Sequence, residues 1–384
     1  MQSFSLAATP EIIFGNGRLA ELPARVTAMA GKGAPVVLIA DPVLSTLGIV
    51  PRVVEALSAA GHDTALYDGF SGEPKHVDID KAASLARNHR ARTVIGLGGG
   101  TALDTAKLVA TCAVSGKRAE SYQLCETPLP RDPLPLIAIP TTAGTGAEAS
   151  RTMIFSNARH EKVWAWGEEL KPRLALLDPE LTVGVPPSVT AATGLDALVH
   201  AIEASTNRNR HDANDVFCHR AIALIASNLE KAVKTPGDLD ARGALLLGSF
   251  YAGIGIDNCG TALAHNISHA MADLAPIPHG RATGLAMLAT IGWVKDGNHE
   301  AYAKVARAMG GPEDAEHAVS AYERLVRGSG IKISLIGDGL ELNRPEKLAE
   351  HMASPANTPM RKSTARDISD ADLLMLAERV YALS

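Results

Sequence analysis

The sequence predicts an N-terminal α/β domain with a mostly parallel sheet, followed by an all-helical C-terminal domain. Up to the Pro186-Pro187 pair, short continuous apolar runs alternate with helical segments, a pattern typical of parallel strands that are covered on both faces. Beyond that pair, long Ala- and Leu-rich helical patterns replace the apolar runs. Because 384 residues also exceed one ordinary core, we expect domains at residues 1–187 and 188–384.

Three apolar runs in the first half are predicted to be strands, and each ends at residues that stop a strand. The runs cover 35–40, 92–97 and 134–139, and they end at Asp41-Pro42, at three glycines and at Pro140-Thr141-Thr142. Helical segments are predicted over 52–60 and 81–88. In the second half, the predicted helices include 195–204, 216–233, 241–253 and 262–274.

The composition favours a soluble globular protein and excludes several classes of partner. Hydrophobic residues make up 46% and charged residues 21% of the chain. The net charge of −5, without a block of Lys or Arg, argues against binding to nucleic acid or a membrane surface. Four widely separated cysteines indicate thiols in a reducing compartment. The sequence has no leader pattern and no apolar run that would span a bilayer, so we expect a cytoplasmic protein.

A glycine-rich turn after the second predicted strand is a candidate phosphate site. Gly98, Gly99, Gly100 and Thr101 follow that strand and open a helix. Glycines let the backbone approach a phosphate, and free N–H groups at a helix start attract anions. A tight turn without a ligand explains the same residues, and Thr101-x-x-Asp104 has the spacing of a short capping box. The turn matches neither G-x-G-x-x-G nor a P-loop.

A second loop, 141–148, leaves the third predicted strand with three hydroxyl groups and two glycines. Ligands of open α/β sheets lie beyond the carboxyl ends of the strands, so two such loops are expected to line a nucleotide cleft; the alternative is an ordinary solvated loop. Asp41, at the end of the first strand, can accept hydrogen bonds from a ribose diol and would repel a 2′-phosphate. This favours NAD over NADP, although Asp-Pro also starts plain turns.

The helical half contains a candidate metal site. Asp196 and His200 are four residues apart, so in a helix their side chains lie on the same face, and His265 and His269 repeat that spacing. His279 follows a Pro-marked break and could turn back toward them. A carboxylate with imidazoles suits iron or zinc. The alternative, solvated histidines on the polar face of a helix, is open for each residue taken alone.

Together these segments resemble the iron-containing (group III) alcohol dehydrogenase family over nearly the full chain. The motifs are Gly98-Gly99-Gly100-Thr101-x-x-Asp104-x-Ala106-Lys107, Pro140-Thr141-Thr142-Ala143-Gly144-Thr145-Gly146-Ala147-Glu148, Asp178-Pro179, Thr193-Gly194-x-Asp196-Ala197-x-x-His200-x-x-Glu203 and His265, His269 and His279-Gly280. The resemblance implies metal ligands at Asp196, His200, His265 and His279, with His269 beside the substrate as a proton-relay residue.

For the cofactor, the resemblance implies NAD rather than NADP, with iron favoured over zinc as the metal. The implied cofactor contacts are Asp41, Gly98, Gly99, Gly100, Thr101, Asp104, Thr141, Thr142, Thr145 and Lys162. The implied reaction is hydride transfer between an alcohol and an aldehyde or ketone, with the metal as a Lewis acid on the substrate oxygen. Family members are commonly dimers or larger homo-oligomers, so we expect one here.

The chain departs from the family at residues expected on the substrate side. Arg281 replaces a small or apolar residue after His279-Gly280, and Arg151 follows Glu148-Ala149-Ser150. Guanidinium groups near the substrate would favour an anionic aldehyde, whereas two structural or surface arginines are the simpler interpretation. Two related functions are also considered: a metal-free reductase of the maleylacetate-reductase type and an NAD- and metal-dependent lyase of the dehydroquinate-synthase type.

Overall fold

The computed structural model describes residues 3–383. Met1, Gln2 and Ser384 lie outside the described residues, and with them the outer ends of the predicted domains 1–187 and 188–384. The described chain divides into two compact units. An α/β unit comprises residues 8–142 and 147–182, and a helical unit comprises 3–7, 143–146 and 183–383. The division near residue 187 stays a prediction; the units change over between Thr182 and Val183.

The α/β unit is built on a parallel sheet of six strands in the order β1-β8-β5-β4-β2-β3. The predicted fold class is therefore confirmed. A separate antiparallel hairpin, β6–β7, was not predicted. The strands are β1 (Glu11–Phe14), β2 (Val36–Ala40), β3 (Thr64–Tyr67), β4 (Thr93–Gly98), β5 (Leu136–Pro140), β6 (Thr152–Ser156), β7 (Lys162–Trp166) and β8 (Leu174–Leu177).

The central strands are buried on both faces, which explains their continuous apolar sequence. Side chains alternate between the two faces of a strand, so Val37 and Ile39 join one apolar core while Val36, Leu38 and Ala40 join the other. Helices cover both faces of the sheet. They are α1 (Leu22–Ala30), α2 (Pro42–Thr46), α3 (Ile49–Ala59), α4 (His76–Asn88) and α5 (Gly100–Ser115).

The helical unit contains all the remaining α-helices of residues 3–383. They are α6 (Pro187–Thr206), α7 (Asp212–Lys234), α8 (Leu239–Cys259), α9 (Leu263–Ala272), α10 (His279–Val294), α11 (His299–Ala308), α12 (Ala315–Gly328), α13 (Pro345–Met352), α14 (Thr358–Ser363) and α15 (Asp370–Tyr381). Within this unit α6 packs against α7, α8 and α10, and α10 packs against α9. None of the helices described has the length and apolar character that a membrane crossing requires.

Candidate metal centre and nucleotide loops

Helix α6 has three buried ionisable side chains, Asp196, His200 and Glu203. They stand at positions i, i+4 and i+7 and therefore share one face of the helix. The sequence predicts an amphipathic helix with an apolar stripe opposite this face. The structure differs, because every residue from Gly194 to Thr206 is buried, and the polar face lies inside the helical unit as well.

Helices α9 and α10 bring two histidines to Asp196. In the part of the chain described, Asp196, His265 and His279 form a group whose ligand atoms all lie within 4.8 Å of one another. Oδ1 of Asp196 lies 3.7 Å from Nε2 of His265 and 3.7 Å from Nε2 of His279. The His200 ring stacks on the His265 ring at 4.5 Å between centroids. His200 is thus adjacent to the group without belonging to it, and the four-ligand set stays a prediction.

Two facing acceptors are the main chemical feature of this cluster. Nδ1 of His265 lies 2.7 Å from a carboxylate oxygen of Glu203, so Nδ1 carries the proton and Nε2 presents a lone pair. Opposite Nε2 stands Oδ1 of Asp196, also an acceptor, and both atoms are buried without a hydrogen-bond partner among residues 3–383. Buried acceptors without a hydrogen-bond partner lower the stability of the folded state. A cation between these two atoms would provide a partner for both.

The ionisation states match this picture. Burial raises the pKa of Asp196, but the nearby His200, His279 and His265 outweigh burial and leave that pKa below its usual value. Burial, with His200 as a smaller contributor, lowers the pKa of His265 well below its usual range. A carboxylate with neutral imidazole is the form that binds a divalent metal.

His269, predicted as a proton-relay residue, lies on α9 beside the cluster. Its ring centroid is 5.5 Å from that of His279 and 6.4 Å from that of His265. The side chain of His279 is 37% exposed, whereas Asp196 and His265 are each only 3% exposed. The cluster is therefore open to a small molecule on the side of His279. The role of His269 stays a prediction.

The predicted cofactor residues Asp41, Gly98 and Thr141 meet at one edge of the α/β unit. Strands β2, β4 and β5 are parallel neighbours, so their carboxyl ends share that edge. The Asp41 N–H donates to Leu97 O at 3.0 Å, and the Thr141 N–H donates to Gly98 O at 2.9 Å. Gly98 has φ of +148°, and a Cβ there would lie 2.9 Å from that of Asp41. Only glycine fits this close approach.

Helix α5 begins at Gly100, with Gly99 as its N-cap residue. In the described structure no side chain caps this end, so its first N–H groups are available to an anion. The capping-box interpretation of Thr101 and Asp104 is wrong. Oδ2 of Asp104 accepts a hydrogen bond from Ile154 N–H at 3.1 Å, and Oδ1 lies 3.4 Å from Nζ of Lys107.

The second loop divides between the units. Thr141 and Thr142 end the α/β segment, and Gly99 lies against the Thr142 hydroxyl, since a Cβ on Gly99 would stand 3.4 Å from its Oγ1. Residues 143–146, including Thr145, belong to the helical unit. Gly146 has φ of +61°, and a Cβ there would lie 2.5 Å from Cα of Gly253 on α8. This glycine therefore serves packing within the helical unit.

Three predicted basic residues have acidic partners. Nζ of Lys162 lies 2.7 Å from Glu73. Arg151 pairs with Glu168 and stacks over the Trp166 ring at 4.5 Å. Arg281 donates to Asp338 at 2.8 Å and to the carbonyl oxygens of Lys332 and Ser334. These contacts fit the simpler interpretation, in which Arg151 and Arg281 are structural residues. A role of the two arginines in substrate binding stays a prediction.

Sequence reasoning missed two buried residues. Glu203 received no role, although its spacing from Asp196 and His200 places it on their face of α6. Lys107 received no role either, although its i, i+3 spacing from Asp104 predicts an ion pair. Both residues are buried, and Glu and Lys are seldom buried without partners. Burial is not visible in the sequence, so the spacing of these residues was the only signal available there.

Comparisons with known proteins agree with this architecture. Residues 9–179 match the family described as iron-containing alcohol dehydrogenase, and residues 190–379 match the C-terminal domain of the Fe-containing alcohol dehydrogenase family. The chain is 33% identical over 380 residues to long-chain-alcohol dehydrogenase 1 of Geobacillus thermodenitrificans, covering 96% of this chain and 94% of that protein. It is 30% identical over 370 residues to the NAD-dependent methanol dehydrogenase of Bacillus methanolicus, covering 94% and 96%.

Solved structures give the same result. The sulfoacetaldehyde reductase of Bifidobacterium kashiwanohense, solved in complex with NAD+, superposes with a TM-score of 0.92 at 27% identity and covers 100% of both chains. The chain belongs to the iron-containing alcohol dehydrogenase family. It is an oxidoreductase of alcohols and carbonyl compounds, and the family, fold class and enzyme class predicted from the sequence are confirmed.

Proposed function

We propose that this enzyme interconverts an alcohol with an aldehyde or ketone, using NAD and a divalent metal bound at Asp196, His265 and His279, with His200 completing the set. The observation that carries the proposal is the pair of facing, buried acceptors on Asp196 and His265. Neither atom can donate to the other, so the residues present fit a cation. Iron is the favoured metal because of the family, and zinc suits the same donors.

When bound, the metal supplies Lewis acidity at the substrate oxygen, and NAD supplies a hydride acceptor. The protein contributes position and charge. The uncapped start of α5 and the edge formed by Gly98 and Thr141 can hold the phosphates of the dinucleotide. Asp41 can accept hydrogen bonds from a ribose diol, although its Oδ1 also accepts a hydrogen bond from Val43 N–H at 3.2 Å. In this proposal His269 accepts or returns the proton of the reaction.

The paired arginines bear on the choice of substrate. An anionic aldehyde would have to compete with Glu168 for Arg151 and with Asp338 for Arg281. A neutral alcohol or aldehyde needs no such exchange, so we propose neutral substrates as the first to test. A cytoplasmic location and a homodimer or larger homo-oligomer belong to the same proposal and rest on the composition and the family.

The test is an assay of neutral and acidic alcohols and aldehydes with NAD(H), before and after metal removal and reconstitution with Fe²⁺ or Zn²⁺. We expect turnover that a strong chelator abolishes and that added metal restores. Full activity in protein shown to be free of metal would favour the maleylacetate-reductase type. Product formation without net change in NADH absorbance would favour the lyase, and tight NAD binding without turnover on any substrate would contradict an enzyme.

A further inference from the structure

Glu203 is a buried carboxylate with three N–H donors. Its Oε1 accepts a hydrogen bond from Ala264 N–H at 2.6 Å, and its Oε2 accepts hydrogen bonds from Ala262 N–H at 2.7 Å and from His265 Nδ1–H at 2.7 Å. The residue is 2% exposed, so water does not compete for these contacts. Burial raises the pKa of Glu203 to about 7, and the donors oppose that rise.

Two of these donors belong to the start of helix α9. Ala262 is the N-cap residue of α9, and in the described structure its own side chain makes no capping hydrogen bond. The first N–H groups of a helix have no partner within it, and Glu203 reaches them from α6. The same carboxylate therefore holds the start of α9 in place and binds the imidazole of His265 in the first turn of that helix.

We propose that Glu203 is a positioning residue that holds His265 in the Nδ1–H tautomer and thereby turns the Nε2 lone pair toward Asp196. The inference rests on the proposed function, since the purpose of that orientation is a metal ion at Asp196, His265 and His279. Groups that hydrogen-bond the second nitrogen of a metal-binding histidine set its tautomer and its orientation. Here that group is a buried carboxyl oxygen that also accepts a hydrogen bond from Ala262 N–H, so the ring has little freedom to turn.

A change of Glu203 to Gln makes the proposal testable. The amide has one acceptor oxygen where the carboxylate has two, so its NH₂ must face either Ala264 N–H or the pair formed by Ala262 N–H and His265 Nδ1. The second arrangement is relieved if His265 changes tautomer, because Nδ1 can then accept from the amide and the protonated Nε2 can donate toward Oδ1 of Asp196. The first arrangement keeps those two acceptors facing each other, so we expect the second in the metal-free protein. Nε2 would carry the proton and could no longer bind a metal.

The experiment compares the full-length wild type with Glu203→Gln, Glu203→Asp and Glu148→Gln. Metal affinity is measured by competition with a chromophoric chelator for Fe²⁺ and Zn²⁺. The His265 tautomer is measured from ¹⁵N shifts of histidine-labelled, metal-free protein, with a His265→Ala spectrum for assignment. Glu148 is the matched control because it is buried to the same degree and lies in the α/β unit.

We expect Glu203→Gln to weaken metal affinity about 10–100-fold and to move His265 to the Nε2–H tautomer. Glu203→Asp, which retains the charge on a shorter side chain, should keep the wild-type tautomer with a smaller loss of affinity, and it remains informative if the Gln variant does not fold. Glu148→Gln should bind metal like the wild type.

Unchanged affinity and an unchanged tautomer in Glu203→Gln would overturn the inference. Failure of the proposed function has a different signature, because the wild type itself would then bind no metal. In that case the tautomer measured in metal-free protein still decides whether Glu203 orients His265.

Discussion

The two units each bury a cluster of acidic residues, and the clusters differ in how their charge is balanced. In the helical unit, Asp196 and Glu203 stand among histidine imidazoles, and acceptors on Asp196 and His265 face each other at 3.7 Å. In the α/β unit, Asp104 and Glu148 lie near Lys107, an ammonium group that is itself fully buried. The α/β cluster contains its own cation, the Lys107 ammonium. The helical cluster has acceptors that face each other, as expected of a site that binds a metal ion.

The Lys107 ammonium has its hydrogen-bond and ion-pair partners within the α/β unit. Its Nζ donates to Thr152 O at 2.6 Å and to Ser150 Oγ at 3.1 Å, and it lies 3.4 Å from Oδ1 of Asp104. These contacts join helix α5 to the segment that follows β5. The ammonium thus stabilises the position of helix α5, which begins at the glycine-rich turn.

This difference separates a structural ion pair from a binding site. Buried charge is tolerated when partners compensate it, and Lys107 provides that compensation at all times. In the Asp196 cluster, Oδ1 of Asp196 and Nε2 of His265 have no hydrogen-bond partner among the described residues, so we expect this pair of atoms to lower the stability of the metal-free protein in exchange for metal affinity. Buried acceptors without a hydrogen-bond partner occur in both clusters. The clusters differ in what faces those acceptors: the Lys107 ammonium lies 3.4 Å from Oδ1 of Asp104, whereas Oδ1 of Asp196 faces another acceptor, Nε2 of His265.

The largest expected effect is that of Asp196→Asn on metal binding and catalysis. Loss of the carboxylate should abolish stoichiometric metal binding and lower kcat/KM about a thousandfold or more, because Lewis-acid catalysis contributes several kcal/mol. Metal content by plasma mass spectrometry and steady-state kinetics measure both. Asp104→Asn, the same change in the other cluster, should retain its metal.

The stability of the metal-free Asp196→Asn variant provides a second test. The Asn amide can donate to Nε2 of His265, which relieves the facing acceptors. The Asn variant also loses the attraction between the carboxylate and the nearby histidines. Because the two effects oppose each other, metal-free Asp196→Asn should unfold at a denaturant concentration close to that of metal-free wild type. A clear loss of stability in the metal-free variant would mean that the acceptors are already satisfied, and the comparison between the clusters would fail.

The next effect is that of Lys107→Met on stability. Removal of the ammonium leaves the buried Glu148 and the partly buried Asp104 without a cation, and breaking a buried pair costs about 3–5 kcal/mol. Urea unfolding at pH 8 measures the change. Lys347→Met, which removes an exposed ion pair with Glu350, should change the free energy of unfolding by less than about 1 kcal/mol. Equal effects of the two substitutions would contradict a special role for Lys107.

The sequence predicts the three neighbouring strands β2, β4 and β5 better than the other strands of the sheet. Strands β2, β4 and β5 are buried on both faces, so their apolar runs are continuous and easily found. Strand β8 has the sequence Leu-Ala-Leu-Leu, which helices share, and its pairing with β1 joins residues about 160 positions apart. Nothing local indicates such a pairing.

The same limit applies to the candidate site. Spacing on one helix predicts that Asp196 and His200 share a face, and the family resemblance adds His265 and His279. The packing of α6 with α9 and α10 decides which atoms meet, and it brings Asp196, His265 and His279 together while His200 stacks on a ring. The direction of the His265 imidazole is proposed to depend on Glu203, and the contact between these two residues is a tertiary one.

The smallest expected effect concerns the pH dependence of stability in the α/β cluster. Burial raises the pKa of Glu148 from 4.5 to about 7, and the charge of Lys107 opposes that rise. The folded state therefore holds a proton that the unfolded state releases, and this stability is complete below pH 4.5 and is lost as pH rises through 7. Between pH 4.5 and pH 7 the free energy of unfolding of the wild type should fall by about 3 kcal/mol relative to that of Glu148→Gln.

Urea unfolding of both proteins at pH 5, 6, 7 and 8 measures this difference. Parallel stability curves would show that Glu148 ionises normally in the folded state. The Lys107→Met background sharpens the result, because loss of the ammonium should raise the pKa of Glu148 further and extend the divergence to higher pH. If the divergence instead stayed the same without Lys107, the ammonium would not be the cation that balances this cluster.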